Sequence, residues 1–320
     1  MKLCSVVVPC YNEEETIQIF YDEMQKYITK LSDLAFEFIF VDDGSKDHSL
    51  MEMKRLAGED PSVKFISFSR NFGKEAGLFA GLEAASGDYI VTMDVDLQDP
   101  PYLLEDMYKA VTEEGYDCAA TMRTDRKGEA PIRSWFARRF YRLINKISNA
   151  DIVDGARDYR FMTRQMVDSI LAMREYNRFT KGIFGWIGFK TKWIPFENVE
   201  RSAGTTKWSF WKLFLYALEG IIAFSTTPLW IASITGLLSC MLSVIAMIFI
   251  IIRRLLYGDP VDGWASIITI MLFIGGLQML FLGIQGLYIS KMYLETKERP
   301  IYITKETNVK KQETGKHEEE

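Results

Sequence analysis

Apolar positions in the first 120 residues follow two alternating periods. Short, nearly unbroken apolar runs predict strands: LCSVVVP at 3–9, FEFIFVDD at 36–43, VKFISFS at 63–69, DYIVTMD at 88–94 and YDCAATM at 116–122. Between the first two, Ile17, Phe20, Met24, Tyr27 and Leu31 recur at helical spacing, and SLMEMKRLA, KEAGLFAGLEAA and PYLLEDMYKAV predict three further helices. Strands that lack polar alternation are buried on both faces, so repeated βα units predict an α/β fold with a mainly parallel sheet. Ligands of such sheets bind beyond the carboxyl ends of the strands. The polar clusters PCYNEEE, DDGSKD, RNFGKE and DVDLQDPP follow the first four strands and converge on that rim.

The pattern changes toward the other end. Residues 228–252 and 264–290 form two long apolar stretches, uncharged through Ile252 and Ile289, and each exceeds the roughly 20 residues that cross a bilayer core as a helix. The linker at 253–263 is short, so a transmembrane hairpin is expected, with both large flanks on one side. Arg253 and Arg254 favour a cytosolic linker, while Lys207, Lys212, Lys291, Lys297 and Arg299 favour cytosolic flanks. The polar rim on the large flanks is expected to need a cytosolic substrate, which decides for an external linker. Gln278 and Gln285, with Gly275, Gly276, Gly283 and Gly286, suit helix packing in a homo-oligomer. The tail at 291–320 is charged and is expected to be unstructured from Lys305 on.

Charge and cysteine usage narrow the chemistry. The net charge of -5 argues against nucleic-acid binding. Cys4, Cys10, Cys118 and Cys240 have no metal-ligand spacing and read as reduced thiols, and with only His48 and His317 present, histidine zinc sites and Ser-His-Asp hydrolysis are poorly provided for. Asp94, Asp96 and Gln98 alternate after the fourth strand, which on an extended segment puts them on one face. Such an oxygen-only set suits Mg²⁺ or Mn²⁺ and leaves positions for water and phosphate. A solvated acidic turn is the competing reading of the same residues.

Taken together, VVPCYNEEETI, FVDDGSKD, SRNFGKEAGLFAGLEAASGD, MDVDLQDPP, GARDYRFMTRQMVD, NRFTKGIFGWIGFK and RSAGTTKW resemble glycosyltransferase family 2. Within it they look most like polyprenyl-phosphate glycosyltransferases, the dolichyl-phosphate mannose synthases and bacterial bactoprenol glucosyltransferases. The resemblance implies a GT-A, Rossmann-like catalytic domain at 1–205, an amphipathic interfacial helix at 206–227 and the hairpin at 228–290. It implies a bacterial inner-membrane, multi-pass protein whose catalytic domain is cytoplasmic. The implied reaction is inverting transfer of a hexose, with glucose from UDP-glucose as the expected donor, to undecaprenyl phosphate; a flippase is a further implied partner. N-acetylglucosamine, galactose, mannose and aminoarabinose remain alternative sugars.

Site residues follow from the same resemblance. Pro9, Tyr11, Asn12 and Glu13 match the first nucleotide loop, Val41, Asp42 and Asp43 the base-reading acidic segment, and Asp94, Val95 and Asp96 the diphosphate and metal segment completed by Gln98. Arg123, Arg201 and Lys207 match phosphate-contacting positions. Asp158 matches the proposed base, as a base or as an acceptor-orienting group, with pairing to Arg157, Arg160 or Arg164 as the structural alternative. Between Thr121 and Ser148 eight basic residues stand against two acidic ones, and SWFARRFYRLINKI reads as a helix lying on an anionic membrane surface. A processive polysaccharide synthase is disfavoured by the absence of Q-x-x-R-W, and a non-catalytic scaffold by the intact Asp94, Asp96 and Asp158.

Overall fold

The computed structural model describes residues 1–124, 139, 153, 155–197, 225–257 and 263–310. Eight strands form one sheet: β1 (Lys2–Cys10), β2 (Leu34–Asp42), β3 (Val63–Phe68), β4 (Tyr89–Thr92), β5 (Cys118–Arg123), β6 (Ala156–Thr163), β7 (Thr191–Phe196) and β8 (Thr304–Thr307), in the order β7-β5-β6-β4-β1-β2-β3-β8. The expected βα repeats build the parallel centre, β4-β1-β2-β3. β6 and β8 run antiparallel to their neighbours, so the sheet is mixed but mostly parallel, a Rossmann-like GT-A arrangement.

Alternation within the apolar strands feeds two cores. Val6, Val8, Phe38 and Phe40 point to one face, where α1 (Ile17–Ile28), α2 (Ser49–Glu59) and α4 (Leu104–Thr112) supply Ile17, Phe20, Met24, Met53, Leu56 and Met107. Val7, Ile39 and Val41 point to the other, under α3 (Lys74–Ala84), α5 (Arg164–Ala172) and α6 (Thr180–Trp186). Each fully buried Phe or Ile contributes about 1.5–3 kcal/mol. α3 lies close on the sheet: a Cβ at Gly81 would come within 2.2 Å of Val7 Cγ1. That contact explains why a glycine is tolerated inside this helix.

Beyond the sheet, α7 (Thr227–Tyr257) and α8 (Trp264–Thr296) have 31 and 33 residues and run past the expected limits of 252 and 290. Among the described residues, Phe273–Thr296 is the stretch long and apolar enough to cross a membrane, with mean hydropathy 1.4. Both helices expose large apolar side chains, including Trp230, Leu242 and Phe249 on α7 and Phe273, Met279 and Ile289 on α8.

The expectation of an unstructured tail from Lys305 is corrected over residues 305–310 by β8 and its flank, and 311–320 lie outside the described residues. This strand pairs with β3, Asn308 accepts the Phe65 N–H at 2.7 Å, and Tyr302 stacks on Phe68 with ring centroids 4.9 Å apart. Thr304–Thr307 is held by backbone pairing that needs no apolar pattern. The end of α8 is also docked: Glu295 accepts the backbone N–H groups of Tyr176 and Asn177, each at 3.0 Å, and Lys291 donates to Asn177 Oδ1. The basic segment at 134–147 and the interfacial helix at 206–227 lie outside the described residues, apart from Arg139 and 225–227.

Candidate active site

Register brings the site together. β1 pairs with β2 through Cys10↔Asp42 and with β4 through Val7↔Thr92, so the three strands end near one another at the rim. The loop after β1 is prebuilt: Asn12 takes φ 55°, its N–H donates to Ser45 Oγ, its Oδ1 accepts the Lys46 N–H, and the Glu13 N–H donates to Ser49 Oγ. Asparagine is among the residues that tolerate this left-handed backbone. Pro9 sits at the end of β1, half-buried, and the Tyr11 ring stays exposed beside this loop.

Asp42 and Asp43 are buried, and protein donors reach all four of their oxygens. Asp42 accepts from the Ser45 N–H at 2.9 Å and from Ser67 Oγ at 2.7 Å. Asp43 accepts from the Phe72 N–H at 2.6 Å and the Gly73 N–H at 2.9 Å. Burial pushes the Asp43 carboxyl up, against the pull of those two N–H groups. The pair binds the second loop to the third, and the approach is close: a Cβ at Gly44 (φ 67°) would lie 2.5 Å from the Arg70 carbonyl carbon. Val41 and Val95 are core side chains, so any ligand contact at these positions goes through backbone.

The metal segment differs from its expected form. β4 ends at Thr92 and residues 95–96 are in a turn, so Asp94, Asp96 and Gln98 are not set along an extended strand. Leu97 takes φ 55°, and the Gln98 N–H donates to Asp96 Oδ1 at 3.1 Å. What brings a second carboxylate to Asp94 is β6. Thr92 pairs with Arg160 in an antiparallel ladder, which carried two residues further sets Asp158 across from Asp94, and Thr92 Oγ1 donates to the Asp158 carbonyl.

Lys74, the first residue of α3, joins these two carboxylates. Its Nζ lies 2.7 and 2.9 Å from the Asp94 oxygens and 2.6 Å from Asp158 Oδ2. Burial works against its charge, but Asp158 and Asp94 outweigh it and hold the ammonium well above the ordinary lysine range. Asp158 is the mirror case: burial would raise it, yet Lys74, followed by Lys181 and Arg157, holds it well below the usual carboxylate range. The structural pairing anticipated for Asp158 with an arginine goes instead to Lys74, and Arg157 pairs with the buried Asp99 at 2.9 Å. Asp99 Oδ2 is buried without a hydrogen-bond partner, and burial pushes this carboxyl up, with Arg157 opposing.

Neither Lys74 nor the Asp99–Arg157 pair was singled out by sequence reasoning. A signal for Lys74 existed, because a cation at the first position of a helix opposes the helix dipole and calls for a nearby anion. Arg123 closes β5, where its N–H donates to the Gly155 carbonyl at 3.0 Å. Arg201 and Lys207 lie outside the described residues. Among the described residues no three His, Cys, Asp or Glu side chains gather as a metal cage. The oxygen donors of Asp94, Asp96 and Gln98 fit a divalent cation that keeps water or phosphate ligands, provided the cation takes Asp94 from Lys74.

Comparison with known proteins places the chain in a family. The family described as Glycosyl transferase family 2 matches residues 5–171. The putative glycosyltransferase CsbB of Bacillus subtilis is 43% identical over 307 residues, covering 96% of this chain and 92% of that protein. The prophage bactoprenol glucosyl transferase homolog of Escherichia coli is 43% identical, covering 94% and 98%. The bactoprenol glucosyl transferase of Shigella phage SfII is 41% identical, covering 95% and 98%. Among solved structures, glucosyl-3-phosphoglycerate synthase from Mycobacterium tuberculosis in complex with Mn²⁺, UDP-glucose and phosphoglyceric acid aligns at TM-score 0.48 and 20% identity, covering 69% of this chain and 78% of that one. With a family match over more than half of its length and relatives that align almost end to end, the chain belongs to glycosyl transferase family 2.

Proposed function

We propose that this protein transfers a hexose, glucose from UDP-glucose, to a polyprenyl phosphate of the undecaprenyl type at the cytosolic face of a bacterial cell membrane, with inversion. The observation that carries this reading is the tie between the rim and an exposed apolar helix. Glu295 at the end of α8 holds Asn177, and three residues on Thr180 donates its N–H to Glu75 at 2.9 Å, beside Lys74. A reaction centre for a water-borne donor thus shares one body with a helix suited to lipid, as an enzyme with one soluble and one lipid substrate requires. The names of the two bactoprenol glucosyl transferase relatives support the same sugar and acceptor.

The exposed apolar faces of α7 and α8 support placing both across the membrane. Their connectivity supports a hairpin: β1 to β7 precede α7, β8 follows α8, and all belong to one sheet, as an even number of crossings would require.

The chemistry needs little base catalysis. A phosphate monoester has its second pKa near 6, so the acceptor oxygen is already anionic at neutral pH. Asp158, kept ionised by Lys74, serves in this reading to orient charge rather than to take a proton. Pro9, Tyr11, Asn12 and Glu13 receive the base and ribose; Asp42 and Asp43 hold the loops that shape that pocket; Arg123, Arg201 and Lys207 meet phosphates. Asp94, Asp96 and Gln98 would hold Mg²⁺ or Mn²⁺, which neutralises the leaving diphosphate. The rest is positioning for attack in line with the leaving group.

Purified protein incubated with undecaprenyl phosphate, Mg²⁺ or Mn²⁺ and a panel of labelled nucleotide sugars tests this. Label from UDP-glucose should enter the organic phase, and EDTA or Asp96→Ala should abolish it. Lipid label from another donor alone would replace glucose, and none from any donor would overturn the reaction.

A further inference from the structure

Lys74 holds a place that a metal ion would need. Its ammonium sits within 2.9 Å of both Asp94 oxygens. A divalent ion of this class binds a carboxylate oxygen at about 2.1 Å. Two cations that close to one carboxylate repel each other strongly, so ammonium and metal are alternative occupants of Asp94. The helix gives Lys74 no reason to be there. It is the first residue of α3, where exposed backbone N–H groups disfavour a positive charge, and no side chain caps that end. The side chain can also leave: it is 43% exposed on a flexible four-carbon stem, and Asp158 offers a second anchor at 2.6 Å.

We propose that Lys74 is an exchangeable counter-cation that sets the threshold for metal binding at Asp94. It neutralises Asp94 until a divalent cation arrives with the nucleotide diphosphate, then yields that carboxylate and retreats to Asp158. Free metal alone is then held weakly, and the metal enters together with donor substrate. This inference rests on the reading of Asp94 and Asp96 as cation ligands.

The test measures Mn²⁺ binding to the full-length protein in detergent, without nucleotide, by the electron paramagnetic resonance signal of free Mn²⁺. Lys74→Met should bind Mn²⁺ on the order of tenfold more tightly than the wild type. Lys181→Met is the control for charge alone, since Lys181 acts on Asp158 through space and directs its ammonium to the Ala156 carbonyl at 3.3 Å. That variant should stay within about twofold of the wild type. Lys74→Gln, whose amide can still bond Asp158, is run alongside in case the methionine variant does not fold. Unchanged or weaker Mn²⁺ binding in both Lys74 variants, or an equal gain in Lys181→Met, would overturn the inference. Persistence of Mn²⁺ binding in Asp94→Asn would instead sink the assignment of Asp94 as a ligand.

Discussion

Asp94 and Asp99 begin and end the same short loop, and each is paired with one basic side chain, yet the two pairs are built for opposite purposes. The Asp94–Lys74 pair lies at the rim, with side chains 24% and 43% exposed. Asp99 is fully buried against Arg157, and its second oxygen has no partner. A partly exposed lysine can change partners, whereas breaking a buried pair leaves an uncompensated charge. The loop is therefore pinned at Asp99, while the exchange proposed for Lys74 takes place at Asp94.

Asp94→Asn should separate the two ends most sharply. Transfer should fall on the order of a thousandfold, while thermal stability changes by less than about 1 kcal/mol. Arg157→Met should do the reverse in kind, destabilising the fold by about 3–5 kcal/mol in a denaturation midpoint. Adding Asp99→Leu should restore much of that loss, because the orphaned charge is gone.

Asp158 sharpens the comparison through pH. Lys74 depresses its carboxyl, so its stabilising effect is complete above the unfolded value of about 4 and is lost only as pH falls further through the folded value. Between about pH 5 and 8 its charge is constant, and the acid limb of kcat/KM should come from the acceptor phosphate near pH 6. Asp158→Asn should lower the rate on the order of a hundredfold and leave that limb in place. A limb that disappears with the substitution would make Asp158 a true base. The smallest effect belongs to Lys54→Ala, which removes the exposed pair with Glu306 on β8 and should cost less than about 1 kcal/mol.

The parallel centre was legible because Val6 to Val8 and Phe38 to Val41 have to be buried on both faces, which leaves an unbroken apolar run. β6 was hidden by its own chemistry, since Arg157, Asp158 and Arg160 interrupt any apolar pattern while the strand is held by β4 and β5. β8 was hidden for the opposite reason: Thr304–Thr307 is polar throughout and gains its place by pairing with β3. The carboxylates of the site could be read as a cluster after one strand. Their partners could not, because Lys74 is separated from Asp94 by 20 residues and from Asp158 by 84.

β8 also orders events during synthesis. Its neighbour β3 is complete by Phe68, but the residue that bonds Phe65 lies 243 positions further along the chain. At 5–20 residues per second the ribosome takes roughly 10–50 s to cover that distance. For that interval β3 is an open sheet edge, a template for unwanted pairing. It can close only after both long apolar helices have been made, so the last backbone pairing of the catalytic sheet waits on the segments that follow it.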